Sequence, residues 1–293
     1  MATASASKKT LQEELQQAIQ HDHLIINHLI SSRMPLCLPP KTDSPLRFAL
    51  GLTAFAHLYT SFEYAWETIT SQTSDPPAYL LDLQTSGLKR HLRLDRDLHS
   101  LEHLLGSSGA KRMQKIHSQT VHFHSSIFHT CQNKPHLILA WAWTMYLAMF
   151  NGGRYIRAAL EGAGDDFWGT KNYPLEFWNF EGKDDGRPIH EAFKKNFDEA
   201  AEHLSREEKD EVIAEAKRVF HINEDVVHEL NQKVGQDEAL GVVTSIVAAA
   251  SPLAVLRAVL GLFSRGWRAI ASIWTTQRRS VALTSDSPLL EKV

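Results

Sequence analysis

The sequence predicts an all-α protein. Apolar residues recur every three or four positions through long segments, and alternating β-branched runs are scarce. Proline and glycine clusters punctuate the intervals between these segments. The first helix opens with a capping box at Thr10 and Glu13, then carries Leu11, Leu15, Ile19 and Ile26 along one flank to about Ile30. Pro35, Pro39, Pro40 and Pro45 break the chain before a strongly apolar second helix from Phe48 to Thr70. A polar loop, Ser71 to Pro77, follows.

Leu88 to Leu105 reads as a third helix, apolar at Leu94, Leu98, Leu101 and Leu105, and Gly106-Ser107-Ser108-Gly109 reads as a flexible connection. Lys111 to Cys131 is a histidine-rich helix. Pro135 to about Leu160 is the most hydrophobic helix of the body and is interrupted by Gly152-Gly153. Asp165 to Arg187 is irregular and aromatic, with Trp168, Tyr173, Phe177, Trp178 and Phe180, and leads into the charged turn from Lys183 to Pro188. Two helices close the body, Ile189 to about Leu204 and Ser205 to about Gln232, the second opened by a Ser205/Glu208 box.

With 293 residues, 43% hydrophobic and 22% charged, the balance is that of a globular chain with a sizeable core. The 31 basic against 34 acidic side chains leave a net charge of -3, so there is no general basic field and nucleic acid is not an expected partner. Cys37 and Cys131 have no CxxC partner, which argues for a reducing compartment and against a thiolate zinc site. Met1 to Lys9 is small and polar with no apolar run, so a disordered start without a signal peptide and a cytosolic body are expected.

Two features stand out from this background. His23 lies four residues after Ile19 and three before Ile26, which predicts an imidazole on the apolar side of its helix, either hydrogen-bonded in the core or bound to a metal. His21 and His28 fall on other faces and read as surface residues. Gly152 and Gly153 each cost ~1 kcal/mol against alanine in a helix interior, which points either to close helix packing or a kink, or to a flat ligand approaching the backbone. Glu63 and His57 are the best candidates for a di-iron bundle site, but no carboxylate lies between Pro135 and Leu160 to complete one. His122, His124 and His129 read as a solvated face.

Several stretches, in order, resemble the heme oxygenase family. LQEELQQAIQHDHLIIN (Leu11 to Asn27) is similar to its first helix, with the heme-ligand histidine falling on His23. FALGLTAFAHLYTSFEYAWE (Phe48 to Glu67) resembles its second helix, including His57 and Tyr59, and LDRDL (Leu94 to Leu98) resembles its Asp-Leu segment. PHLILAWAWTMYLAMFNGGR (Pro135 to Arg154) is similar to its distal helix, with Tyr146-Leu147 ahead of the glycines. Phe193-Lys194 and EVIAEAKRVFHIN (Glu211 to Asn223) resemble its last two helices, so the likeness covers most of residues 10 to 235.

The resemblance implies a heme that is both cofactor and substrate, with His23 as axial ligand to its iron and a sixth position left for oxygen. The reaction implied is oxidative opening of heme to biliverdin, with release of iron and carbon monoxide. Electrons would come from NADPH through a cytochrome P450 reductase-type partner. Gly152 and Gly153 would bring the distal backbone over the macrocycle, and Lys194 would face a propionate. Phe220 and Asn223 match pocket or helix-packing positions, with packing the first reading. Met149 stands where the family has an Asp that holds a distal water network, and a thioether cannot relay protons as a carboxylate does. Ala148, Phe150 and Asn151 replace Gly, Leu and Ser, and Asp198 aligns with a propionate-facing arginine. Proton delivery would then fall to Asn151, Arg154, Tyr146 or a backbone-held water. The alternative is a non-catalytic heme-binding or heme-sensing protein, and a third reading is a bundle without heme.

Residues 236–275 form a separate hydrophobic and amphipathic tail, with Ser251-Pro252 opening a helix whose stripe runs through Leu256, Val259, Leu260, Phe263, Trp267, Ile270 and Trp274. Arg257, Arg265 and Arg268 lie off that stripe, a pattern suited to an anionic membrane surface or, over Ala239 to Phe263, to a tilted span. The resemblance implies the cytoplasmic face of the endoplasmic reticulum. Residues 276–293 read as a disordered polar end.

Overall fold

A computed structural model describes residues 9–182 and 184–249, with side-chain surroundings as far as residue 235. Among the described residues there are helices and no strand. The chain forms two units, residues 1–231 and 232–293. Of the second, the helical backbone as far as Ala249 is described. The expected amphipathic stripe, residues 1–8 of the start expected to be disordered, and the end expected to be disordered lie outside the described residues; Lys9 is described and donates to Gln17 at 2.8 Å. Among the described residues, no helix is long and apolar enough to cross a membrane.

The centre of the first unit is α3 (Leu46–Gln72), which runs along α5 (His91–Asn133). Trp66, Phe62, Leu58 and Leu50 of α3 are buried, as are Trp141 and Tyr146 of α6 (Ile138–Ala148). Full burial of each large apolar side chain contributes on the order of 1.5–3 kcal/mol, which explains why these helices need no strong individual propensity. α4 (Ala78–Asp82) packs on α9 (Arg187–Glu202), and α6 also contacts α9. The remaining helices are α1 (Leu11–Ala18), α2 (Gln20–Arg33), α7 (Arg154–Glu161), α8 (Gly164–Trp168) and α10 (Arg206–Ala249). Both capping boxes form: Thr10 with Glu13, and Ser205 with Glu208.

Three expectations change. The first helix is two helices, because Ile19 leaves helical geometry (φ -100°, ψ 2°) while its side chain stays in the core beside Leu11 and Leu15. The flexible connection at Gly106 is a kink within α5: Gly106 alone takes a left-handed φ of 64°, which glycine adopts without a Cβ penalty, and the helix resumes after it. The irregular aromatic stretch contains α8 and a 3-10 turn, Glu176–Trp178, whose role emerges at the site.

Candidate functional site

The hydrophobic helix from Ile138 does not simply bend at its glycines; it widens. Met149–Gly153 is wound as a π-helix between α6 and α7. Such a bulge spaces its hydrogen bonds by five residues and shifts the face presented downstream. Ala148, Asn151, Gly152 and Tyr155 are exposed together on one side, Tyr155 by 70%. Met149, Phe150 and Gly153 turn inward. A Cβ added at Gly152 would meet nothing within 4 Å, whereas one at Gly153 would lie 3.5 Å from the Trp178 ring and 3.7 Å from the Met149 sulfur. The two glycines therefore differ: Gly152 leaves bare backbone on an open face, and Gly153 admits a close neighbour. Phe150 is sandwiched between Phe180 and His190 at centroid distances of 4.5 and 4.6 Å. Burial lowers the pKa of His190, and the nearby Lys194 and Arg154 charges lower it further.

A buried polar framework fixes this segment. Glu63 is fully buried on α3, and its carboxylate accepts from the backbone N–H of Arg90 and of His91 at 2.9 Å each, capping the N-terminus of α5 from another helix. The same carboxylate accepts from the Tyr146 hydroxyl at 2.7 Å and pairs with His91 Nδ1 at 2.6 Å. Burial first, then the Glu63 charge, pushes the Tyr146 hydroxyl well above its ordinary pKa, so it remains a proton donor. Burial opposes charge on His91, yet its bond to Glu63 and the neighbouring carboxylates hold its pKa above the usual value. Tyr59 donates to the Met145 carbonyl at 3.1 Å, one turn before the π segment. Asp97 of α5, 1% exposed, accepts from the Glu176 and Phe177 N–H groups at 2.9 and 2.7 Å. It thereby orients the 3-10 turn that brings Trp178 against Gly153. Burial raises the Asp97 pKa to about 6 against these two hydrogen bonds.

His23 is not on a buried face. α2 has no buried residue, because its apolar residues are spread around the helix; Leu24 is 63% exposed and Ile25 41%. The exposed His23 imidazole stands edge-on to Phe220 of α10, with ring centroids 6.2 Å apart. One turn further along α10, Asn223 reaches the Met145 sulfur at 3.7 Å and bonds the Val219 carbonyl at 2.7 Å. A single turn of α10 thus touches both the histidine helix and the distal helix. α9 links α1 to the distal helix: the Lys194 carbonyl accepts from Gln12 of α1 at 2.9 Å, and Phe193 packs edge-on to Tyr146 at 5.6 Å. The Lys194 side chain is exposed.

Two expected site residues are occupied elsewhere. The Tyr146 hydroxyl is spent on Glu63 inside the core. Arg154 bonds the Asp185 carbonyl at 2.7 Å and pairs with its carboxylate at 3.2 Å, alongside Arg157 at 2.7 Å, so it ties α7 to the turn before α9. Glu63 and His57 do not converge on a metal: Glu63 belongs to the framework, and His57 bonds the His117 carbonyl at 3.1 Å. Among the described residues, no group of three or more His, Cys, Asp or Glu is arranged to hold a metal ion. The framework residues Arg90, His91, Asp97 and Asp185 carried no sequence signal as partners, since each pairs across a long separation.

The heme oxygenase family profile matches residues 9–229. The chain belongs to the heme oxygenase family. Solved heme oxygenases share its fold: heme oxygenase 2 from Chlamydomonas reinhardtii, determined without heme, has a TM-score of 0.60 at 22% identity, over 75% of this chain and 97% of that one. Heme oxygenase-1 from the cyanobacterium Synechocystis, in complex with heme, gives 0.59 at 16% identity, over 81% and 100%. Heme oxygenase 2 from Macaca fascicularis is 23% identical over 190 residues, 63% of this chain, and the match spans 55% of that relative's length. Ahead of the glycines, the buried side chains include two thioethers, Met145 and Met149, beside Tyr146 and Phe150.

Proposed function

We propose that this chain binds heme between His23 and the exposed face of the π segment, and opens it oxidatively to biliverdin with release of iron and carbon monoxide. The observation that carries this reading is the α10 turn that touches His23 through Phe220 and the distal helix through Asn223. The residues present fit a heme: an exposed imidazole is available as an axial donor, and bare backbone at Gly152 admits a flat ring. When bound, heme would supply the iron that activates oxygen and the macrocycle that is cleaved.

The chain's own contribution is positional. Phe220 limits rotation of the His23 ring from one edge, and Gly152 removes the side chain that would hold a flat ligand away. Glu63, Tyr146 and Tyr59 fix the distal helix at the turn before it widens. Lys194, exposed on α9, is the cation available to a propionate, and His190 lies beside it. Asn151 is the exposed polar side chain nearest the glycines and can hold a water at the distal face. A reductase fed by NADPH would provide electrons, and the tail, residues 236–275, would hold the chain on the cytoplasmic face of the endoplasmic reticulum.

One observation favours a second reading, heme capture without turnover. The Met149 thioether is 2% exposed and packs toward Gly153 and Trp178, so no carboxylate stands there to order water. Hemin titration tests the site: His23→Ala should abolish the axial-imidazole Soret band while far-UV circular dichroism is unchanged. An unaltered Soret band would move the ligand elsewhere. Deleting residues 251–293 should release the protein from membranes, and retention in the pellet would remove the tail from the proposal.

A further inference from the structure

α5 carries an arrangement that heme chemistry does not use. His99 and His103 sit one turn apart on its exposed side, with Nε2 atoms 3.0 Å apart and ring planes at 83°. Histidines at i and i+4 face the same way on a helix, which is why this spacing recurs in zinc sites. A metal–nitrogen bond of about 2.0–2.1 Å at a cis or tetrahedral angle sets two imidazole nitrogens roughly 3 Å apart. The pair therefore holds the bite of a chelate in advance. The neighbouring charges leave the position open: Arg96 is engaged by Glu176 at 2.8 Å, and Asp95, one turn before His99, accepts weakly from Tyr64 at 3.4 Å.

We infer that His99 and His103 chelate a late first-row divalent cation such as Ni²⁺ or Zn²⁺, with water completing the coordination. Imidazole donors select this class of ion over magnesium and calcium. Because no third protein ligand converges among the described residues, the site is an exchanging surface chelate and not a structural metal centre. It closes the turn just before the Gly106 kink, so an ion bound there staples the end of the first arm of α5. Binding requires both imidazoles neutral, and it weakens as pH falls through the ordinary histidine range.

The full chain is titrated with NiCl₂ by calorimetry at pH 7.5, alongside His99→Ala, His103→Ala and, as a control, His129→Ala on the exposed surface of the same helix. Both pair variants should weaken the tightest Ni²⁺ event at least tenfold, and His129→Ala should leave it unchanged. In a thermal melt, Ni²⁺ should raise the midpoint of the wild type and the control but of neither pair variant, because an ion bound only by the formed helix stabilises it. Equal affinities and equal midpoint shifts in all four proteins would overturn the inference and leave the pair as an N–H···N hydrogen bond.

Discussion

At Gly152 an added methyl group points into open space, and at Gly153 it makes ordinary contact with Trp178 and Met149. Neither glycine has a positive φ, so alanine is sterically admissible at both positions. Gly152→Ala and Gly153→Ala should each hold or raise stability, by up to about 1 kcal/mol, through reduced freedom of the unfolded chain. Gly152→Ala should nevertheless weaken hemin binding about tenfold, measured by Soret titration, because the methyl group stands on the open face. Equal hemin affinity in that variant would show that the bare backbone is not where the ring lies. His23 shows what was not legible at this scale: the sequence placed it on the apolar side of its helix, and the structure leaves it exposed. The apolar neighbours that suggested an inward face belong partly to α1, and the change of direction at Ile19 leaves α2 open.

The distal helix depends on groups that no periodicity reveals. Tyr146→Phe removes the hydroxyl bonded to Glu63 and leaves a buried carboxylate oxygen short of a donor, a loss of roughly 1–3 kcal/mol. Urea unfolding measures it, and an unchanged midpoint would mean that Glu63 is satisfied without Tyr146. Helix positions were readable because apolar residues repeat at helical spacing, and both capping boxes formed as their sequences required. The Glu63 cap on α5 and the Asp97 cap on the 3-10 turn were not readable, since each depends on residues brought together from distant parts of the chain; of the π bulge, the glycine pair was legible as an interruption but not its winding. The α3–α5 interface should also carry a pH signature. His57, 3% exposed, has its pKa lowered to about 4, first by burial and then by the facing His117; His124 also faces it from α5. Between pH 6.5 and 4 the unfolded chain takes up a proton that folded His57 refuses, so stability falls as pH falls. From pH 6.5 to 5 this amounts to roughly 1.5 kcal/mol. Asp97, with its raised pKa, acts in the opposite sense, losing its contribution as pH rises through about 6. Comparing wild type with His57→Gln by urea unfolding at pH 7 and pH 5 isolates the histidine: the variant should lose less stability on acidification. Parallel losses would place the acid sensitivity elsewhere.

For the whole molecule, the ordered resemblance along residues 10 to 235 anticipated a family match that covers residues 9–229. The family sets the arrangement of helices; in this member Met149, Trp178 and Gly153 pack together behind the π segment, and Glu63 is fully buried. That interior holds one side of the π segment, and Asn151 and Gly152 lie exposed on the other; the proposed heme would meet that exposed side. The full chain loaded with hemin, then given NADPH, a cytochrome P450 reductase and oxygen, puts the proposed reaction to direct test. Decay of the Soret band with biliverdin appearing is the expected result. A Soret band that forms and persists would contradict oxidative cleavage and leave heme capture, and a hemin spectrum unchanged by the protein would contradict the heme site itself.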